Sequence, residues 1–194
     1  MKVKLTNPDM RKLLKLPDLK LPKYWSPIIN LANGYSRATR PENVGSMTSL
    51  MGEFNGGSVE EWEEFYNKKH PSAISSAADT IKKMLYKMNN DHIDLKAVKS
   101  WVIDLIINKT YVGLNVQEAI LAKISKEENL PYRQSTITEE SVGIDGFIGN
   151  VPISIKPTTY KNNNLLENIE CYIIYYEKKS TGIDFQYTKK NLKK

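Results

Sequence analysis

Hydrophobic residues recur every three or four positions through the first two-thirds of the chain, which is the spacing of amphipathic helices. The pattern predicts helices that begin near Ser46, Ser58, Pro71, Asp94 and Asn115. Ser58 with Glu61, and Asn115 with Glu118, have the spacing of a capping box, in which each side chain bonds the other residue's backbone amide. The large apolar residues of these helices, such as Trp62, are expected in a core rather than at a protein interface.

After Pro131 the pattern changes to an alternation of β-branched or aromatic residues with polar ones, which predicts strands. The strands are expected in GIDGFIG, VPISIK, ECYIIYYE and GIDFQY. Helices followed by strands predict an α/β (α+β) fold with a helical N-terminal two-thirds and a mixed β-sheet flanked by helices.

The N-terminal part shows neither periodicity clearly. Prolines at positions 17, 22 and 27 oppose regular structure, so residues 1–30 are expected to form an extended arm. The stretch that follows, NLANGYSRATRPENVG, is rich in turn-forming residues and predicts a surface loop. A length of 194 residues suits a single domain over 1–194, with a short basic tail at 189–194.

Gly149 and Asn150 separate two alternating runs and predict a two-residue hairpin turn, because both residue types tolerate a positive φ. In that register Asp145 lies opposite Ser154 on one face of the hairpin. Lys156 shares this face and is the diagonal neighbour of Asp145, roughly 7 Å away between Cα atoms.

A carboxylate beside a lysine on a sheet can hold a divalent cation and position a water that attacks a phosphate. The plainer interpretation is an exposed cross-strand ion pair that contributes little to stability. The hairpin alone therefore leaves a structural and a catalytic interpretation open.

The composition indicates which partner and which kind of metal site suit this chain. The net charge is +6, which suits a polyanionic partner such as DNA, although basic proteins also arise without one. Cys171, His70 and His92 have no zinc-site spacing, so a catalytic metal would be held by hard oxygens, as Mg²⁺ and Mn²⁺ prefer. The chain has no apolar run of membrane-spanning length and no export signal, which predicts a cytoplasmic protein without a membrane role.

The order D-x8-S-x-K on the hairpin resembles the motif of the PD-(D/E)xK nucleases. More specifically, the chain resembles the MjaI family of type II restriction endonucleases over roughly residues 30–188. The matching stretches are RPENVGSMTSL, SVEEWEEFY, QEAILAKI, EESVGIDGFIGNVPISIKPTTYK and IIYYEKK. The resemblance implies a restriction-endonuclease-like core and cleavage of double-stranded DNA. Ser154 departs from the motif, which usually has Asp or Glu there.

The resemblance implies that Asp145, Glu118 and the carbonyl of Ile155 bind Mg²⁺, for which Mn²⁺ can substitute. Lys156 would orient the attacking water, and Ser154 would hold a water on the metal. Glu118 has a structural alternative, because its capping-box position can serve only to close its helix. Glu139 and Glu140 are rival acids, expected in a solvated loop.

Side chains that bond base edges or phosphates are candidates for DNA contacts. The candidates are Asn33, Ser36, Arg37, Arg40, Arg133, Gln134, Thr158, Thr159, Tyr160 and Lys161. The arginines of the first loop can equally be solubilising surface residues.

The resemblance further implies a homodimer that cuts a short palindrome, typically CTAG, alongside a separate methyltransferase that protects the same site. Two other functions are compatible with the residues alone. One is a structure-specific DNA repair or junction nuclease, and the other is a non-catalytic basic DNA-binding module, in which the hairpin pair is structural.

Overall fold

The computed structural model describes residues 1–162 and 171–192, and it divides the chain into two compact units. The first unit contains residues 1–16 and 115–194, and the second contains residues 17–114. The expectation of one nuclease domain over 1–194 stays a prediction.

The first unit is built on a six-stranded sheet with the order β1-β6-β5-β4-β3-β2. The strands are β1 (Lys2–Thr6), β2 (Tyr132–Gln134), β3 (Gly146–Ile148), β4 (Val151–Pro157), β5 (Tyr172–Lys179) and β6 (Gly182–Gln186). Strands β4 and β5 are parallel and the other pairs are antiparallel, so the sheet is mixed. This confirms the mixed sheet expected from the alternating pattern.

In the described part of the first unit, the α-helices are α1 (Asn7–Leu13), α9 (Val116–Glu128) and α10 (Ile137–Ser141). Helix α9 packs on β2 and β3 and against α1. Its apolar face supplies Leu121 and Ile124, which are fully buried together with Ile148 and Ile153 of the hairpin. The hairpin is therefore fixed from one side by the core beneath it.

The N-terminal residues are not an extended arm. Val3 and Leu5 alternate with exposed lysines, and β1 pairs with β6 along its whole length. Helix α1 begins directly afterwards, capped by Thr6 and Asp9 in a capping box. The prediction was wrong because the short strand has no turn signal of its own and is stabilised by a partner near the other end of the chain.

The second unit is helical. Its helices are α2 (Trp25–Ser36), α3 (Pro41–Val44), α4 (Met47–Glu53), α5 (Val59–Lys69), α6 (Ala73–Lys87), α7 (Leu95–Ile103) and α8 (Lys109–Leu114), with a π-helical turn (Asp104–Asn108) between the last two. Trp62 and Tyr66 of α5 are fully buried, which confirms the expected core. Their polar atoms donate to the carbonyls of Ile106 and Val44.

Most predicted helix starts are confirmed, and two details differ. Ser58 and Glu61 form the predicted capping box, and the side chain of Asp94 accepts from the amide of Ala97 at 2.7 Å. Asn115 makes no side-chain capping bond, so the second capping box is absent although α9 begins there. The loop predicted over residues 30–45 is wrong at both ends, because α2 continues to Ser36 and Pro41–Val44 forms α3.

Candidate active site

The hairpin between β3 and β4 brings Asp145, Ser154 and Lys156 together. Ile148 pairs with Val151 and Gly146 with Ile153, which is the predicted register. The Nζ atom of Lys156 lies 3.6 Å from Oδ2 of Asp145, and the hydroxyl of Ser154 donates to the same oxygen at 3.5 Å. The Asp145 side chain is 9% exposed and the Lys156 side chain 19% exposed, so this is not the exposed ion pair of the plainer interpretation.

The side chain of Asp145 accepts a backbone hydrogen bond from β4 just beyond the end of the β3–β4 pairing. The pairing of β3 with β4 ends at Gly146, and the amide of Ile155, two residues further along β4 than Ile153, donates to Oδ2 of Asp145 at 2.5 Å. In a strand, the N–H and C=O of one residue point to the same neighbour. The carbonyl of Ile155 therefore lies on the same edge of β4 as the Asp145 carboxylate.

Two residues that the sequence analysis did not assign to the site lie close to it. Burial raises the pKa of the Cys171 thiol; its hydrogen bond with Ser154 lowers that pKa, and the charges of Asp145 and Lys156 act on it in opposite directions. Burial also raises the pKa of Tyr176, and the Asp145 carboxylate raises it further. The signal for both was their place in β5 or directly before it, since β5 is the parallel neighbour of β4.

Helix α9 presents two consecutive residues to different partners. The carboxylate of Glu118 accepts from the hydroxyl of Tyr132 at 3.5 Å, and burial raises its pKa against the opposing effect of hydrogen bonds from Tyr132 and Gln134. The amide of Gln117 instead donates to Oδ1 of Asp145 at 3.3 Å. Gln117 was missed because an uncharged side chain in a helix gives no chemical signal in the sequence.

Arg133, one of the predicted DNA contacts, interacts with other residues of the protein. It donates to both carboxylate oxygens of Glu139 at 2.8 and 2.7 Å and lies 3.7 Å from the ring centroid of Phe147. Arg133, together with the amide of Thr136, lowers the pKa of Glu139 to about 2. Glu139 therefore caps α10 and anchors it to β2, which gives this rival acid a structural role.

The other predicted DNA contacts lie in two places. In the second unit, Asn33 bonds Thr39, the guanidinium of Arg37 lies 3.6 Å from Glu42, and Arg40 precedes α3. The hydroxyl of Ser36 donates to the carbonyl of Asn33.

In the first unit, Thr158 and Thr159 are exposed in a 3-10 turn after β4. The Tyr160 ring centroid lies 5.9 Å from Nζ of Lys156. Gln134 is exposed at the end of β2, and the side chain of Lys161 lies outside the described residues.

The oxygen donors of the hairpin suit a hard divalent cation. Within residues 1–162 and 171–192, no three His, Cys, Asp or Glu side chains cluster as metal ligands would. The hairpin offers one carboxylate and, by its strand geometry, one backbone carbonyl. Mg²⁺ fits such a set, because it retains several waters and is commonly held by one or two carboxylates together with substrate phosphates.

A mixed sheet flanked by helices, with an acid and a lysine meeting across one hairpin, is the arrangement expected of restriction-endonuclease-like nucleases. Comparison of the sequence with known protein families gives the same class. The model of the MjaI restriction endonuclease family matches residues 26–189.

Two curated relatives are similar over most of their length. The type II restriction enzyme MjaI of Methanocaldococcus jannaschii is 42% identical over 96% of this chain and 89% of its own. The type II restriction enzyme MthZI of Methanothermobacter thermautotrophicus is 39% identical over 91% of this chain and 89% of its own. No solved structure matches the chain. This chain belongs to the MjaI restriction endonuclease family and is a type II site-specific deoxyribonuclease.

Proposed function

We propose that this endonuclease hydrolyses both strands of double-stranded DNA within a short palindrome, CTAG, in a Mg²⁺-dependent reaction at the Asp145–Lys156 hairpin. The observation that carries the site assignment is the convergence of Asp145, the Ile155 backbone and Lys156 on one mostly enclosed patch. CTAG is the sequence expected for members of this family. Mn²⁺ is expected to substitute for Mg²⁺.

In this proposal Asp145 and the carbonyl of Ile155 hold the cation. Bound there, Mg²⁺ supplies a Lewis acid for the phosphate and makes a coordinated water more acidic. Lys156 lies beside Asp145, where its ammonium can orient the attacking water and offset the negative charge that develops on the phosphate. Ser154 bonds Asp145 and would hold a water at the cation. Glu118 remains a proposed ligand, although its carboxylate bonds Tyr132.

We further propose a homodimer, because two copies related by a two-fold axis present one active site to each strand of a palindrome. A separate methyltransferase would protect the same sequence in the cytoplasm. We also propose the DNA contacts that the sequence predicts. Within the described residues, no helix has the length and apolar character needed to cross a membrane.

The proposal is tested with Lys156→Ala and Asp145→Asn. Both variants should bind a CTAG duplex while their Mg²⁺-dependent cleavage rate falls by at least about 10²-fold, since Lys156 offsets the developing charge and Asp145 holds the cation. Lys178→Ala and Asp184→Asn are matched controls on the same sheet and should cut at the wild-type rate. Near-normal cutting by Lys156→Ala or Asp145→Asn would refute the site.

Digestion of a plasmid by the wild-type protein tests the recognition sequence. Discrete fragments whose sequenced ends all lie within CTAG are expected. Fragments ending in a different palindrome would overturn CTAG while leaving the site assignment intact. Cleavage at junctions or loops, independent of sequence, would overturn the proposal of a palindromic site. The homodimer is tested separately by the mass of the protein in solution, and the mass of a single chain would contradict it.

A further inference from the structure

The first turn of α9 places neighbouring residues in different environments. Successive residues of a helix are about 100° apart around its axis, so Gln117 and Glu118 cannot face the same point. Gln117 faces Asp145 of the hairpin, at 3.3 Å between Nε2 and Oδ1. Glu118 faces β2, where Tyr132 donates to its carboxylate. The residue of α9 that touches the candidate active site is thus the neutral one.

The two oxygens of Asp145 have different partners. Oδ2 is used by the hairpin itself, because it accepts from the amide of Ile155 at 2.5 Å and lies near Ser154 and Lys156. In the described part of the chain, the hydrogen bond that reaches Oδ1 comes from Gln117. A carboxylate can rotate about its last torsion when one oxygen is held, but it is fixed when both oxygens are held from different elements.

We propose that Gln117 is a positioning residue for DNA cleavage, which fixes the Asp145 carboxylate through Oδ1 while Oδ2 remains on Ile155 and beside Lys156. This inference rests on the proposed function of Asp145. It gives α9 a role at the active site through Gln117, in addition to the cation ligand that the family resemblance implies at Glu118. The amide provides this restraint without adding a second negative charge next to Asp145.

The neutral side chain has a consequence for cation binding. With Gln at 117 and Ser at 154, the hairpin carries Asp145 as the negative charge beside Lys156. Cation affinity rises with the number of charged ligands. A glutamate at position 117 would place a second carboxylate within hydrogen-bonding distance of Asp145 and should strengthen cation binding in the absence of DNA.

The first test measures the position of Asp145 without a metal. The amide proton of Ile155 should resonate far downfield in a ¹H–¹⁵N spectrum, since its bond to Asp145 is short. In Gln117→Met, which preserves length and helix preference, this resonance should move towards its position in Asp145→Asn. In Glu118→Gln the Ile155 resonance should stay within the line width of the wild-type signal. An unchanged Ile155 resonance in Gln117→Met would overturn the proposal.

The second test measures binding of Mn²⁺ alone by electron paramagnetic resonance. Gln117→Met should weaken binding by about 10- to 100-fold, as loss of an orienting partner typically does. Gln117→Glu should tighten binding by about tenfold, and Lys126→Gln, a change at an exposed position of α9, should leave it unchanged. A loss in Glu118→Gln with none in Gln117→Met would overturn the inference and support Glu118.

Asp145→Asn separates this inference from the proposed function. If Asp145→Asn binds Mn²⁺ and cuts DNA as the wild type does, the proposed active site fails, and the role of Gln117 fails with it. If Asp145→Asn loses both properties while Gln117→Met retains both, the inference about Gln117 alone fails. Circular dichroism of each variant verifies that the chain is folded, and Gln117→Glu supplies a second informative variant if Gln117→Met is unstable.

Discussion

Asp145 receives hydrogen bonds from two directions, the amide of Ile155 in the adjoining strand and the side chain of Gln117 in α9. The first contact lies beside the Asp145–Lys156 pair, whose meeting on one face follows from the hairpin register and could be expected from the sequence. The second depends on how α9 packs against the sheet, and no local pattern reports it. The proximity of Asp145 and Lys156 was therefore predictable, but the restraint on Asp145 was not.

Gly146 follows Asp145 and lies against α9 and β2. A Cβ atom at this position would contact the side chain of Leu121 and would lie 2.7 Å from the backbone carbonyl of Arg133. The backbone contact cannot be relieved by a rotamer change. The close packing at Gly146 therefore sets the position of the first residue of β3 and, with it, of Asp145.

Gly146→Ala is expected to lower the free energy of unfolding by about 1–3 kcal/mol, the usual cost of overpacking, and to reduce cleavage because Asp145 is displaced. Chemical denaturation and a cleavage assay measure the two effects. Gly57→Ala is the control: nothing lies within 4 Å of its added Cβ, so a change under about 0.5 kcal/mol is expected. Equal stability of the two variants would contradict the contact at Gly146.

At the scale of elements, the hairpin turn follows the conformational preference of its glycine, whereas the end of α2 is helical despite its turn-forming residues. Gly149 has a positive φ of 58°, but Asn150 is not among the described residues with positive φ. The turn thus has glycine at the first central position, as in type II′, rather than positive φ at both positions. In α2, turn-forming residues at 33–36 remain helical because the buried Ile29 and Ala32 hold the helix on α6.

Gly34→Ala tests the helical state of this stretch. Gly34 lies inside α2 with nothing within 4 Å of an added Cβ, so alanine should raise the free energy of unfolding by about 0.5–1 kcal/mol through its helix preference. Denaturation of the variant measures the gain. A loss of stability would instead support the loop that the sequence alone predicts.

At the scale of the molecule, the first unit joins the two ends of the described chain. Strand β1 pairs with β6, and Leu5 is fully buried although residues 1–30 were expected to form an arm. The N-terminal residues thus belong to the sheet that carries the active-site hairpin. An edge strand of five residues has little stability alone, so its formation depends on β6 and on α1.

Leu5→Ala is expected to lower the free energy of unfolding by about 2–5 kcal/mol, the range for a large-to-small change in a core. Lys4→Ala on the exposed side of the same strand should change it by less than about 0.5 kcal/mol. Thermal and urea denaturation compare the two variants. A small effect of Leu5→Ala would mean that the N-terminal residues are dispensable, as an arm would be.

The sequence by itself determined the starts of five helices, the strand pattern after Pro131, the hairpin register and the meeting of Asp145 with Lys156. These features depend on periodicity and on residues close along the chain, which the sequence displays directly. Tertiary structure decided the pairing of β1 with β6, the helical state of residues 33–36, the pairing of Arg133 with Glu139, and the contact of Gln117 with Asp145. Each of these depends on which of several compatible partners packing brings within reach, and that choice is made by the whole fold.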